Sequence, residues 1–143
     1  MYKRLFIGAL ATLALSTNVF AHGVCEVSPL HHDMENIKTQ LKGMASNLKA
    51  GDSAEATKNV EQVIALFKDA RTQTPYLFTE KKLAGDELAK ETAKYQSVID
   101  DTINVFSSLE MALKNNDSDK VKTLLGQIGK QRQIGHSTFK ADC

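Results

Sequence analysis

The chain has 143 residues, of which 18 are Lys or Arg and 17 are Asp or Glu. That length builds one domain around one core. So even a charge balance leaves no basic excess to hold nucleic acid, and no stretch after the first residues is apolar enough to cross a membrane.

Residues 1–21 read as a secretory signal rather than as part of the fold. Lys3 and Arg4 form a basic start, and Leu5 to Leu15 is an apolar run interrupted by Gly8 and Thr12. Val19-Phe20-Ala21 then places small residues at the −3 and −1 positions of a cleavage site. The run is too short for a spanning helix, so cleavage after Ala21 is expected. A lipoprotein reading, with Cys25 as the lipidated residue, is weaker because His22-Gly23-Val24 is a poor approach to such a cysteine. The mature domain would be residues 22–143, with a formal balance of −1 once Lys3 and Arg4 are gone. Export to the periplasm, with no membrane insertion after cleavage, follows from this reading.

Four blocks of helically spaced apolar residues come next. The first opens at Ser28-Pro29, a cap followed by proline at the first helical position, and carries Met34, Ile37, Leu41, Met44 and Leu48. Gly51 stops it, and Asp52-Ser53 caps the second block, which holds Ala56, Val60, Val63, Phe67 and Ala70. Residues 74–85 are expected to be one long connection. The third helix, from about Asp86 to Lys114, runs through Leu88, Tyr95, Val98, Thr102, Val105, Leu109 and Ala112. After the turn Asn115-Asn116-Asp117-Ser118, the fourth block holds Val121, Leu125, Ile128, Arg132, Gly135 and Phe139. Steps of three and four on every helix predict side-by-side packing at shallow angles. The expected fold is all-α, an antiparallel up-down-up-down four-helix bundle, and a monomer.

Cys25 and Cys143 are the only cysteines, one near each end of the mature chain. An even count in an exported protein suggests a disulfide, and such a bundle brings its termini to one end. Two free or intermolecular thiols are the alternative. Gly126, Gly129 and Gly135 fall inside the last helix, each costing up to about 1 kcal/mol relative to alanine. Gly135 is expected to leave room beside His136, unless these glycines are merely tolerated.

Three stretches resemble the cytochrome b562 family, soluble four-helix proteins with a b-type haem. They are His32-Asp33-Met34-Glu35-Asn36-Ile37 with Gln40-Leu41-Lys42; Ala112-Leu113-Lys114 with Lys120-Val121-Lys122; and Arg132-Gln133-Ile134-Gly135-His136. The resemblance implies one haem b per chain, held without covalent bonds between Met34 and His136 as axial ligands. It implies that Arg132, one turn before His136, reaches a haem propionate. It implies a periplasmic electron carrier, not an enzyme, exchanging electrons with periplasmic redox proteins. Between Val121 and His136 the chain is three residues shorter than the family pattern. A paired shortening on the antiparallel third helix makes Phe106 the expected haem-wall phenylalanine, with plain core filling as the alternative. The Cys-x-x-Cys-His signature of covalently attached haem is absent.

The competing class is a haem-free exported bundle that binds copper or another metal, or acts as a protein-interaction module. His22, as a new N-terminus, could chelate copper, with His31 and His32 near the same end. Adjacent histidines point in different directions on a helix, however. No nucleophile–base pair or phosphate loop supports catalysis, and Asp100-Asp101 reads as solvated surface.

Overall fold

The computed structural model describes residues 27–142. The expected signal segment, His22, and both cysteines, Cys25 and Cys143, lie outside the described residues. Within them all regular structure is helical: α1 (Pro29–Lys49), α2 (Ser53–Arg71), α3 (Tyr76–Glu80), α4 (Gly85–Lys114) and α5 (Ser118–Phe139). Four are long and amphipathic, as a helical bundle requires. The single turn of α3 interrupts what the sequence suggested was a plain connection over 74–85.

Local chemistry fixes the boundaries. Ser28 accepts a hydrogen bond from the His31 amide at 3.1 Å, with Pro29 at the first helical position. Asp52 caps α2 through the Glu55 amide at 3.0 Å, and Asp117 caps α5 through the Lys120 amide at 3.1 Å. Each cap satisfies a backbone donor that a helix start leaves unpaired. Gly51, at φ +75°, supplies the left-handed turn between α1 and α2. In α3, Phe78 is buried against the Phe139 ring, 6.1 Å between centroids.

The close helix pairs are α1 with α2, α2 with α4, and α4 with α5. Side-chain contacts give their register. The Gln73 amide, just past α2, donates to Asp33 near the start of α1 at 2.7 Å, while Asn47 near the end of α1 donates to Asn59 near the start of α2 at 2.8 Å. Arg71 at the end of α2 forms a two-pronged ion pair with Asp100 of α4, at 2.6 and 3.0 Å. Lys114, closing α4, reaches Glu61 midway along α2 at 3.3 Å. The Tyr95 ring of α4 lies 5.4 Å from Phe139 at the end of α5.

The core runs along these three seams. Ile37 and Met44 come from α1; Ala56, Val60, Val63, Phe67 and Ala70 from α2; Tyr95, Ile99, Phe106 and Leu109 from α4. The second block is thus buried residue for residue as its spacing predicts. In α5 the outcome differs, because Leu124 is 5% exposed and Leu125, expected on the seam, is 36% exposed. Adjacent residues sit about 100° apart on a helix, and it is the Leu124 side that meets α4. Asp100 is also more than solvated surface, since it locks α4 to Arg71.

One tight contact has no counterpart in the sequence reading. Asn59 donates to Gln40 at 2.9 Å and accepts from Asn47, bridging two turns of α1 across Gly43. A Cβ at Gly43 would come within 2.9 Å of the Asn59 amide nitrogen. Glycine there lets the polar bridge close.

Candidate functional site

The α1 and α5 helices flank the bundle without forming a close pair of their own. Two open hollows lie along α5, the second of them reaching α1. One, of about 390 Å³, is lined by Gly129, Arg132, Gln133, His136 and Ser137. The other, of about 360 Å³, is lined by Leu48 of α1 together with Leu113, Val121, Lys122 and Leu125. Gly129, Arg132, Gln133 and His136 recur at steps of three and four, so they form one continuous helix face.

The contacts described above also define the ends of the molecule. Asp33 meets Gln73, the Tyr95 hydroxyl donates to the Ala70 carbonyl at 2.6 Å, and Tyr95 meets Phe139. The start of α1 and the last turns of α5 therefore share an end. Met34 is half-buried against the core on α1 and His136 is exposed on α5. Asp33 turns towards α2, so Met34, about 100° further round the helix, faces away from that partner. Ile37, one turn on, is buried and anchors the same stretch.

His136 has a pKa below the ordinary imidazole value. Partial desolvation by the surrounding protein is the main cause, followed by the positive charges of Arg132 and Lys140. Although the residue is exposed, this environment favours the neutral ring, whose free nitrogen is the form that binds a metal. Arg132, four residues earlier, lines the same hollow with its guanidinium in solvent. Tyr95 is held protonated, its pKa raised by burial and by the Asp33 carboxylate.

The other residues singled out in the sequence fall elsewhere. Phe106 is 2% exposed and packs on Phe67, with ring centroids 5.6 Å apart. It is not among the residues lining the hollow beside His136. Gly135 does not require the absence of a side chain, since an added Cβ would meet Val98 at 3.9 Å, an ordinary contact. Gly129 has no atom within 4 Å of where a Cβ would stand, so its open side belongs to the hollow. The His31 and His32 rings stand edge-on with centroids 6.3 Å apart. Among the described residues no three of His, Cys, Asp and Glu are grouped to hold a metal ion. Nor, among them, is any helix long and apolar enough to cross a membrane.

An uncovered helix face with an imidazole, at the same end of the molecule as a half-buried thioether, has the chemistry of a haem site. The family model for cytochrome b562 matches residues 29–140, from the first residue of α1 to the residue after α5. The chain belongs to the cytochrome b562 family. Comparison with curated proteins and with solved structures gives no match.

Membership supplies the cofactor, one non-covalent b-type haem per chain, and points to a haem-binding electron-transfer protein in a family of carriers rather than enzymes. The residues present fit that group on three counts. The face of α5 that carries His136 is uncovered, which leaves space for a flat macrocycle. The apolar side chains of Met34 and Leu41 are half-buried and packed against the core. The nitrogen and sulfur donors are both uncharged, so enclosing them carries no large charge-burial cost.

Proposed function

We propose that this cytochrome b562 family member is a periplasmic one-electron carrier whose haem lies between α1 and α5, with Met34 and His136 as its axial ligands. The observation that carries the reading is the placement of His136 on an uncovered face of α5, at the end of the molecule where Met34 lies. The four long helices are read as an antiparallel up-down-up-down bundle. The supporting contacts are Asp33 near the start of α1 with Gln73 just past α2, Lys114 at the end of α4 with Glu61 midway along α2, and Tyr95 in the first half of α4 with Phe139 at the end of α5.

When bound, the haem supplies a one-electron centre whose potential reflects its axial ligands and their surroundings. The chain's residues do the rest. Met34 and His136 would hold the iron through a thioether and an imidazole, a donor pair suited to electron transfer, and the reading includes no enzymatic activity. Met34 is a soft donor that favours the reduced metal and raises the potential relative to harder ligand sets. Asp33 and Gln73 position Met34 by tying the first turns of α1 to the end of α2. Arg132 neutralises a propionate through a charge-assisted hydrogen bond. Phe106, buried on Phe67 in the closed seam, acts from behind the site by holding α4 rigid rather than by lining the hollow beside His136.

Cleavage after Ala21 delivers the chain to the periplasm in this reading, where Cys25 and Cys143 form an intramolecular disulfide. Val27 and Asp142, the first and last described residues, flank the helix ends that meet at one end of the molecule. Closing so long a loop contributes about 4–5 kcal/mol in the chain-entropy model.

The test is a visible spectrum of the haem-loaded protein with and without Met34. The wild type should show the sharp split bands of reduced low-spin haem, and Met34→Ala should turn the iron largely high-spin. Met44→Ala should keep the low-spin bands and only loosen the core. An unchanged spectrum in Met34→Ala would defeat the ligand assignment.

A further inference from the structure

The two halves of the bundle carry opposite charge. Helices α1 and α5 together hold seven Lys or Arg and three Asp or Glu, whereas α2 and α4 hold six and nine. Ion pairing sharpens the contrast. On α2 and α4, Lys58, Arg71, Lys94 and Lys114 each have a carboxylate partner. On α1 and α5, Lys38 alone does, through Glu35. Lys42 and Lys49 of α1, and Lys120, Lys122, Lys130 and Arg132 of α5, are exposed with no ion pair among the described residues.

Part of this uncompensated positive charge borders the hollows along α5. Lys122 lines the second hollow, and Arg132, one helical turn before His136, lines the first. The potential of such a face steers oppositely charged molecules to it, and electrons leave most readily where a partner comes nearest the redox centre.

We propose that the α1–α5 face is the docking surface for a redox partner protein whose own contact surface is rich in carboxylates. The proposal rests on the haem placement given above and adds the partner's chemistry to it. Lys42 and Lys122 steer the encounter from the two sides of the seam, and Arg132 serves the haem edge. Contacts of this kind raise the association rate more than the affinity, which suits a carrier that must also leave.

Ferricyanide serves as the anionic probe. Each reduced protein molecule gives one electron to one ferricyanide ion, forming ferrocyanide with no proton transferred. At low ionic strength, charge reversal in Lys42→Glu with Lys122→Glu should slow this oxidation about ten-fold, and added salt should erase the difference. The matched control, Lys68→Glu with Lys90→Glu, makes the same net-charge change on α2 and α4 and should stay within about two-fold of wild type. Poly-glutamate should shift amide NMR signals along α1 and α5, in the haem-free protein as well as the loaded one.

Equal slowing in both double variants would show that net charge acts and not this face, and would overturn the proposal. So would poly-glutamate shifts confined to α2 and α4. Co-sedimentation with phosphatidylglycerol vesicles at physiological salt, with no response to poly-glutamate, would assign the face to a membrane surface instead. If the protein takes up no haem, the reading of the site fails, while the poly-glutamate titration of the haem-free chain still decides the docking face.

Discussion

The seam between α2 and α4 and the seam between α1 and α5 show two ways to use the same helical spacing. The first is closed by Phe67 on Phe106, by Val60, Val63 and Leu109 at or near zero exposure, and by the Arg71–Asp100 pair. The second is left open, with Met34 and Leu41 half-buried on one side and Arg132, His136 and Gly129 on the other. Burial of apolar area stabilises the first by roughly 25 cal/mol for each Å² removed from water. The second forgoes that gain and, in the function proposed above, leaves room for the haem. On that proposal folding strength and cofactor binding are held on different sides of one bundle, and a substitution should affect mainly the side it falls on.

Phe106→Ala should have the largest effect on folding, because it removes a buried ring from the closed side. A loss of about 3–5 kcal/mol in urea unfolding of the haem-free protein is expected. A haem-free stability equal to wild type would mean that Phe106 serves only the cofactor.

The neighbouring leucines of α5 sharpen the contrast. Leu124→Ala should cost about 2–3 kcal/mol, whereas Leu125→Ala, at the open seam, should cost less than about 1 kcal/mol. Chemical denaturation of the two single variants reads the difference. The reverse order would mean that α5 is rotated relative to the seam described here.

Gly129→Ala should act in opposite directions on the two properties. Nothing lies within 4 Å of the new Cβ, so the haem-free helix should gain up to about 1 kcal/mol in propensity. The same methyl group intrudes on the hollow, so haem affinity should fall. Thermal melts of the haem-free chain and a haem titration separate the two.

The smallest effect is a shift in the titration of His136. Its pKa in the folded chain is depressed, so the group contributes stability above the unfolded imidazole value, and that contribution is lost as pH falls through the folded pKa. In the haem-free protein its ring proton signals should titrate below the range of a free histidine. Replacing Arg132 or Lys140 with Gln should move the midpoint upward, because each removes a positive neighbour.

The four long helices, their caps and the core of α2 were legible in the chain itself. Heptad-like spacing fixes which face is apolar, and Ser28, Asp52 and Asp117 satisfy orphan backbone amides through local chemistry alone. The family likeness was equally legible, since the segments around Met34 and His136 are contiguous in sequence. Other features needed the third dimension. A run of two leucines cannot say which one meets a neighbouring helix, so Leu124 replaced Leu125 in the core. Short α3 and its buried Phe78 have too few residues for a periodic signal, and their shape depends on Phe139, about 60 residues away. The bridge of Asn59 to Gln40 and Asn47 across Gly43, and the pairing of Arg71 with Asp100, join residues whose partners the spacing does not name. The sequence determines each helix because its forces act within a few turns. Which faces close and which stays open was decided only when the helices packed, because that choice depends on distant side chains competing for the same surface.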